Sequence, residues 1–267
     1  MRVTVFGLGE AGSSIASDLA ASGAEVQGYD PAEVATPKGV VRHKDPGAAV
    51  AGSRLVMAVT AAADAQKAIA QAWTEMKRGT IYADLSTAPP GFKENLADTA
   101  ALRGLAFVDV ALMGTVPGSG LSTLALASGP GAADYATIVN GLGGQVEVMG
   151  DRPGDAAARK LLRSVVSKGL TSVLIESLEA AEAHGDTEWM WRHLVDFVTE
   201  ADETLVRRLI SGTPRHIERR IVEMESAQDF LESLQIPATM TRATVTALRR
   251  IEEEGMPEST TGLGDDE

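Results

Sequence analysis

The first half of the chain reads as short apolar runs separated by amphipathic, alanine-rich stretches. Arg2-Val3-Thr4-Val5-Phe6 is a β-branched run closed by Gly7, the pattern of a buried strand. Ile15, Leu19 and Ala20 then recur at helical spacing up to Gly23, and 24–29 is a second short apolar run. Residues 54–60, 80–84 and 105–110 are further strand candidates, with helical stretches near 62–77 and 90–103 between them. Strands alternating with helices predict a doubly wound parallel sheet covered by helices on both faces, an α/β, Rossmann-like domain. An apolar run at 121–127, a helix near 131–141 and a last run at 145–149 extend this domain over 1–150.

After Gly150 the strand signal stops. Leu161, Leu162, Val165, Val166, Leu170, Val173, Leu174 and Leu178 make one apolar stripe on a helix from 155 to 184. A helix of about 30 residues is ~45 Å long, a length suited to joining domains or building an oligomer interface. Further helices are expected near 187–211, 214–235 and 238–254, with Thr213-Pro214 as a cap and first-turn pair and Gly255 with Pro257 as a stop. The expectation is an all-α domain over 151–258 that serves substrate binding and homodimer formation. An acidic, disordered tail over 259–267 follows.

Composition narrows the function. The 37 acidic and 24 basic residues give a net charge of −13. Seven of the acidic residues lie between 252 and 267 without a Lys or Arg, so the body is only mildly acidic. Nucleic acid and anionic membrane surfaces both require a basic face, and neither is expected as a partner. The absence of cysteine removes disulfides, thiol nucleophiles and thiolate metal sites. No apolar run reaches the ~18 residues that cross a bilayer. Gly7, Gly9 and Glu10 interrupt the N-terminal run too early for a signal peptide, so a cytoplasmic location is expected. His43, His184, His193 and His216 form no metal-binding pattern.

Gly7-Leu8-Gly9-Glu10-Ala11-Gly12 is a G-x-G-x-x-G that follows a predicted strand and opens a predicted helix. Gly7 permits the tight turn, Gly9 lets a pyrophosphate reach the backbone, and Gly12 lets helix pack on strand. The helix N-terminus offers free amides and its positive dipole end to the phosphates. Asp30 ends the next strand, 18 positions beyond Gly12. A carboxylate there accepts hydrogen bonds from a ribose and repels a 2′-phosphate, which favours NAD over NADP. Arg42 and Lys44 are the cations further along that could approach a phosphate.

These motifs, with others in the same order, resemble the β-hydroxyacid dehydrogenase family, which includes 3-hydroxyisobutyrate and 6-phosphogluconate dehydrogenases. Val59-Thr60 resembles the family's cofactor-contacting strand end. Asp84-Leu85-Ser86-Thr87-Ala88-Pro89 resembles its D-x-S-T-x-x-P loop beside the nicotinamide. Asp109-Val110-Ala111-Leu112-Met113-Gly114 stands where the family has D-A-P-V-S-G-G, and residues 154–160 resemble the segment carrying its catalytic lysine. The C-terminal helices resemble a subgroup whose C-terminal domain has no assigned substrate. The resemblance implies that Gly7, Leu8, Gly9, Glu10, Ala11, Gly12, Asp30, Thr60, Ser86 and Thr87 contact the dinucleotide. It implies Lys160 as general acid/base, with Ser164 at the position of the family's asparagine. Met113 replaces the serine that holds a substrate carboxylate, and Ala111 replaces its proline.

Lys160, Ser164 and Lys168 follow one another at one-turn spacing and form a polar line beside the apolar stripe. A lysine partly withdrawn from water releases its proton more readily, which suits acid and base roles near neutral pH. Met113, Gly114, Lys168 and His216 are the candidate substrate contacts. His216 enters through its arginine-rich surroundings, 215–220. The expected reaction is hydride transfer between nicotinamide and a small hydroxy-acid/keto-acid pair. The alternatives are an imine reductase, which shares the fold but usually carries Asp or Tyr at the lysine position, and a dinucleotide-binding protein without catalysis.

Overall fold

A computed structural model describes residues 1–260. The chain divides into two compact units, Met1–Arg163 and the residues from Ser164 onward. The expected acidic tail lies, from residue 261, outside the described residues.

The first unit is built on an eight-stranded sheet ordered β3-β2-β1-β4-β5-β6-β7-β8. The strands are β1 (Arg2–Phe6), β2 (Glu25–Tyr29), β3 (Val40–His43), β4 (Leu55–Ala58), β5 (Ile81–Asp84), β6 (Ala106–Leu112), β7 (Ala125–Ser128) and β8 (Val146–Val148). Every described pairing is parallel except β6 with β7. Both faces of the inner strands β1, β4, β5, β6 and β7 are buried, as the near-continuous apolar strands predict. On one face Val3 and Val5 pack with Ile15 and Leu19 of α1 (Glu10–Ala21) and Tyr135 and Val139 of α5 (Ala132–Gly141). On the other, Phe6, Val56 and Tyr82 pack with Ala65 and Ile69 of α3 (Ala62–Ala72) and Leu96 and Ala100 of α4 (Pro90–Ala101). The alternation within β1 therefore feeds two layers at once.

Two features of the first unit depart from the sequence reading. Residues 40–50 fold into edge strand β3 and a short α2 (Pro46–Val50), capped by Asp45, whose carboxylate accepts from the Ala48 N–H at 2.6 Å. The run at 121–127 becomes a strand only from Ala125, because Gly120–Ser122 forms a 3₁₀ turn whose Leu121 N–H donates to Asp18 at 2.8 Å.

Helix α6 (Asp155–His184) leaves the first unit at Arg163. The second unit adds α7 (Thr187–Thr199), α8 (Glu203–Arg215), α9 (Ile217–Ser233) and α10 (Thr239–Glu254). The single helix expected over 187–211 is broken because Asp202 caps a new one, accepting from the Leu205 N–H at 2.8 Å. Thr213-Pro214 does not start a helix, as expected above, but lies in the last turn of α8. There the Thr213 hydroxyl donates back to the Leu209 carbonyl at 2.7 Å and accepts from Arg220 at 3.0 Å. His216 is the residue between the two helices. Among the described residues no helix is long and apolar enough to cross a membrane.

Candidate active site

The turn after β1 is dictated by close backbone approach. Gly7 has φ +83°, and a Cβ there would lie 2.1 Å from the Val59 carbonyl oxygen. A Cβ on Gly12 would lie 1.8 Å from the carbonyl oxygen of Gly7. Gly9 differs, since a Cβ there would meet no protein atom within 4 Å. Packing within the protein therefore does not require glycine at this position. No side chain caps the N-terminus of α1, so its first-turn amides have no side-chain acceptor. Beside this loop Thr60 Oγ1 is buried without a hydrogen-bond partner among the described residues. A cavity of about 280 Å³ opens from the loop and is lined by Tyr29, Asp30, Pro31, Thr60 and Lys67, among others. Open amides, an orphaned hydroxyl and an adjoining cavity fit a dinucleotide with its pyrophosphate at Gly9 and its adenosine beyond β2.

Asp30 is held by backbone. Its Oδ2 accepts from the Leu8 N–H at 2.7 Å and its Oδ1 from the Ala32 N–H at 2.8 Å. The carboxylate thus fixes the glycine loop, and each oxygen keeps a second acceptor direction. Arg42 donates to the carbonyls of Asp30, at 3.3 Å, and of Ala32 and Val34, so it is committed to the loop beyond β2.

A second group of residues gathers beyond the ends of β5 and β6. Lys160, on the first turns of α6, donates from Nζ to Thr87 Oγ1 at 3.0 Å. Arg163, one turn on, donates to the Met113 carbonyl. A lysine and an arginine thus reach the 84–89 and 112–114 loops side by side. Ser86 is buried and donates to Asp84 Oδ2 at 2.7 Å. Asp84 and Asp109, paired across β5 and β6, are fully buried around Lys93 of α4. Burial, and then the nearby Asp84 carboxylate, push the Tyr82 hydroxyl pKa well above its ordinary value.

The structure thus brings together Lys160, Thr87, Ser86, Met113 and, one residue on, Gly114. Glu10 and Ala11 open α1 at the glycine loop. Ser164, Lys168 and His216 belong to the second unit, where Lys168 is exposed and His216 sits between α8 and α9. Sequence reasoning passed over Lys93 and Arg163. Lys93 does leave a trace: with Leu96 and Ala100 it falls on the buried face of α4, an odd place for a lysine.

The family profile for the NAD binding domain of 6-phosphogluconate dehydrogenase matches residues 2–149. The chain belongs to this dehydrogenase family. Outside the dehydrogenase-family match, residues 181–251 correspond to a helical domain of unknown function, DUF1932. The "uncharacterized 28.5 kDa protein in 7S RNA 5′ region" of Methanothermus fervidus is 25% identical over 259 residues, spanning 95% of this chain and 100% of that protein. A conserved hypothetical protein of Sinorhizobium meliloti 1021 is 28% identical with a TM-score of 0.62, over 99% of this chain and 92% of that one. An imine reductase of Myxococcus stipitatus in complex with NADP⁺ has a TM-score of 0.80 at 19% identity, over 96% and 95% of the two chains. That likeness is one of fold. Family and fold agree on an NAD(P)-binding oxidoreductase architecture, with the first unit as its dinucleotide-binding part.

Proposed function

We propose that the chain catalyses reversible hydride transfer between a nicotinamide dinucleotide and a small hydroxy-acid/keto-acid pair, with Lys160 as general acid/base. One observation carries this reading: α6 brings Lys160 Nζ to 3.0 Å from Thr87 Oγ1, at the loop that in the family stands beside the nicotinamide. Bound there, the nicotinamide supplies or accepts the hydride. Neutral Lys160 takes the hydroxyl proton as the alcohol is oxidised, and protonated Lys160 returns it to the carbonyl oxygen in reverse. Thr87 orients the ammonium, and Ser164, on the next turn, is the accessory group. Arg163 gives the site a fixed positive charge in both directions, which supports an anionic substrate where Met113 has replaced the family serine. Met113 and Gly114 border the substrate, and Lys168 and His216 are further candidates for contacting it. We assign the helical residues 151–258 to substrate and homodimer contacts.

The dinucleotide assigned is NAD, because the Asp30 carboxylate keeps acceptor directions for a ribose and repels a 2′-phosphate. A second reading, imine reduction with NADP(H), is favoured by the fold shared with the NADP⁺-bound imine reductase. Arg42, beside Asp30, would then have to turn from the loop carbonyls that hold it to meet the phosphate. A panel of hydroxy acids, amino acids and cyclic imines with NAD(H) and NADP(H), followed at the nicotinamide absorbance, separates the readings. Turnover of hydroxy acids with NAD⁺ sustains the first. Turnover of imines alone, or with NADPH alone, moves the assignment to the second, and binding of dinucleotide with no turnover leaves a non-catalytic binding protein.

A further inference from the structure

Lys93, Asp84 and Asp109 are the most deeply buried charges among the described residues, and the reaction proposed above gives them no part. Lys93 Nζ donates to Asp84 Oδ2 at 2.6 Å and to the Asp84 carbonyl at 3.0 Å, and stands 3.2 Å from Asp109 Oδ1. An ammonium this deep needs such partners, because its lost hydration is otherwise uncompensated. Stability alone does not call for the arrangement, since apolar residues of similar volume commonly serve a core as well or better.

What distinguishes the cluster is where its outer contacts lead. From Asp84, Oδ2 accepts the Ser86 hydroxyl at 2.7 Å, and Ser86 immediately precedes Thr87. From Asp109, Oδ2 accepts the Ala157 N–H in the first turn of α6 at 2.9 Å. Ser128 joins the same end, donating to Asp109 at 3.3 Å and accepting from the Ala156 N–H at 3.0 Å. A continuous line of contacts therefore runs Ser86–Asp84–Lys93–Asp109–Ala157. Its ends adjoin the two groups that meet in the site, Thr87 one residue beyond Ser86 and Lys160 three beyond Ala157. The same two segments also touch directly: Gly154, just before α6, packs on Pro90 so tightly that a Cβ would lie 3.0 Å from the Pro90 carbonyl oxygen.

We propose that Lys93 is a positioning residue: by holding Asp84 to Asp109 it locks the 84–89 loop to the first turn of α6 and so sets the Lys160–Thr87 geometry. This rests on the hydride-transfer reading for its effect on rate, but not for the mechanical link itself. A displacement near 1 Å at a reacting group can cost about 10²-fold in rate, so a rigid tie at this point has a function.

The test is the double variant Asp84→Asn/Lys93→Met. It removes one negative and one positive charge together and leaves Asp109 its contacts with Ser128 and Ala157. Expected are a chain that still folds but melts lower, because Asp109 loses its cation, and NAD(H) affinity by calorimetry within about threefold, since the adenosine and pyrophosphate ends are untouched. On a substrate found by the panel, kcat should fall by roughly tenfold or more with little change in KM, the mark of an interaction that matters only in the transition state. Amide exchange should rise in concert at 84–89 and at 154–162. A well-folded double variant with wild-type kcat, or with faster exchange in one segment alone, overturns the proposal. If the wild type turns over nothing in the panel, the hydride-transfer reading fails, and the paired exchange measurement still decides the link. Should the double variant not fold, Asp84→Asn alone breaks the same line more gently and is read by the same two measurements.

Discussion

A methyl group on Gly12 would lie 1.8 Å from the carbonyl oxygen of Gly7, whereas one on Gly9 would meet no protein atom within 4 Å. The two substitutions should therefore separate folding from binding. Gly12→Ala forces helix from strand and should cost about 1–3 kcal/mol, as overpacking does, read as a lower melting temperature. Gly9→Ala should melt like wild type yet bind NAD(H) roughly tenfold or more weakly by calorimetry, a loss of about 1.4 kcal/mol. Wild-type affinity in Gly9→Ala would mean that no pyrophosphate lies there. Lys160 is separable in the opposite way, because it donates to Thr87, in the loop after β5 rather than the glycine loop after β1. Removing a general acid/base costs about 10²–10⁴-fold in rate, or ~3–5 kcal/mol of transition-state stabilisation. Lys160→Ala should accordingly lose turnover while keeping cofactor affinity and melting temperature. Lys160→Arg should be almost as poor, since a guanidinium cannot serve as a base near neutral pH. Steady-state kinetics beside calorimetry measures both, and near-full activity in Lys160→Ala removes the assignment.

Among the elements, α10 depends on a residue far away in sequence. Glu176 of α6 accepts from the Met240 N–H at 2.7 Å and from the Thr241 N–H and hydroxyl at 2.8 and 2.7 Å, so it caps the start of α10. Burial pushes its carboxyl pKa up, but these hydrogen bonds together outweigh burial and hold it below the ordinary carboxylate value. The sign of the linkage follows. A carboxylate with a lowered folded pKa contributes stability that is present above its unfolded pKa and is lost as pH falls toward the folded one. Glu176→Gln should therefore be less stable than wild type at neutral pH, with the gap narrowing on acidification, as urea unfolding by circular dichroism at several pH values will read. A constant gap across that range would mean that the charge contributes nothing. The same contrast between local and distant contacts explains what the sequence reveals. The glycine loop, β1, Asp30 and the length of α6 are legible because their signals lie within a few residues of one another. Edge strand β3 is not, because its residues are half exposed and lack a continuous apolar run. The break before α8 hides in a single capping aspartate, and Pro214 misleads because a proline in a last helical turn looks like one in a first. Lys93 is legible only as an oddity on an apolar face, since its partners come from two strands that the fold alone brings together.

For the molecule as a whole, the apolar residues of α6 and α7 pose a problem of solvent exposure. Leu162, Val165 and Val166 are 68, 74 and 70% exposed, and Trp189 and Trp191 are 57 and 59% exposed. Helix α7 contains no buried residue at all, although Trp189, Met190, Trp191, Val195, Phe197 and Val198 give it a strongly apolar composition. Scattered exposed apolar residues are ordinary, but runs of them along helices are characteristic of surfaces covered by a partner. A second copy of the same chain is the economical partner, because a two-fold axis lets one patch serve both subunits. A stable interface of this kind buries roughly 1,200–2,000 Å² in total, which large side chains on two helices can supply. Each chain carries a net charge of −13, so association must proceed against repulsion and has to be driven by apolar burial. The expected outcome is a homodimer in sedimentation at micromolar concentration, tightened by added salt as the repulsion is screened. Val165→Glu/Val166→Glu places two charges in the most exposed part of the α6 stripe and should shift the population to monomer. Because those side chains are already exposed, secondary structure by circular dichroism should persist. A wild-type chain that sediments as a stable monomer at micromolar concentration, or a double-glutamate variant that remains fully dimeric, would place the interface elsewhere or remove it.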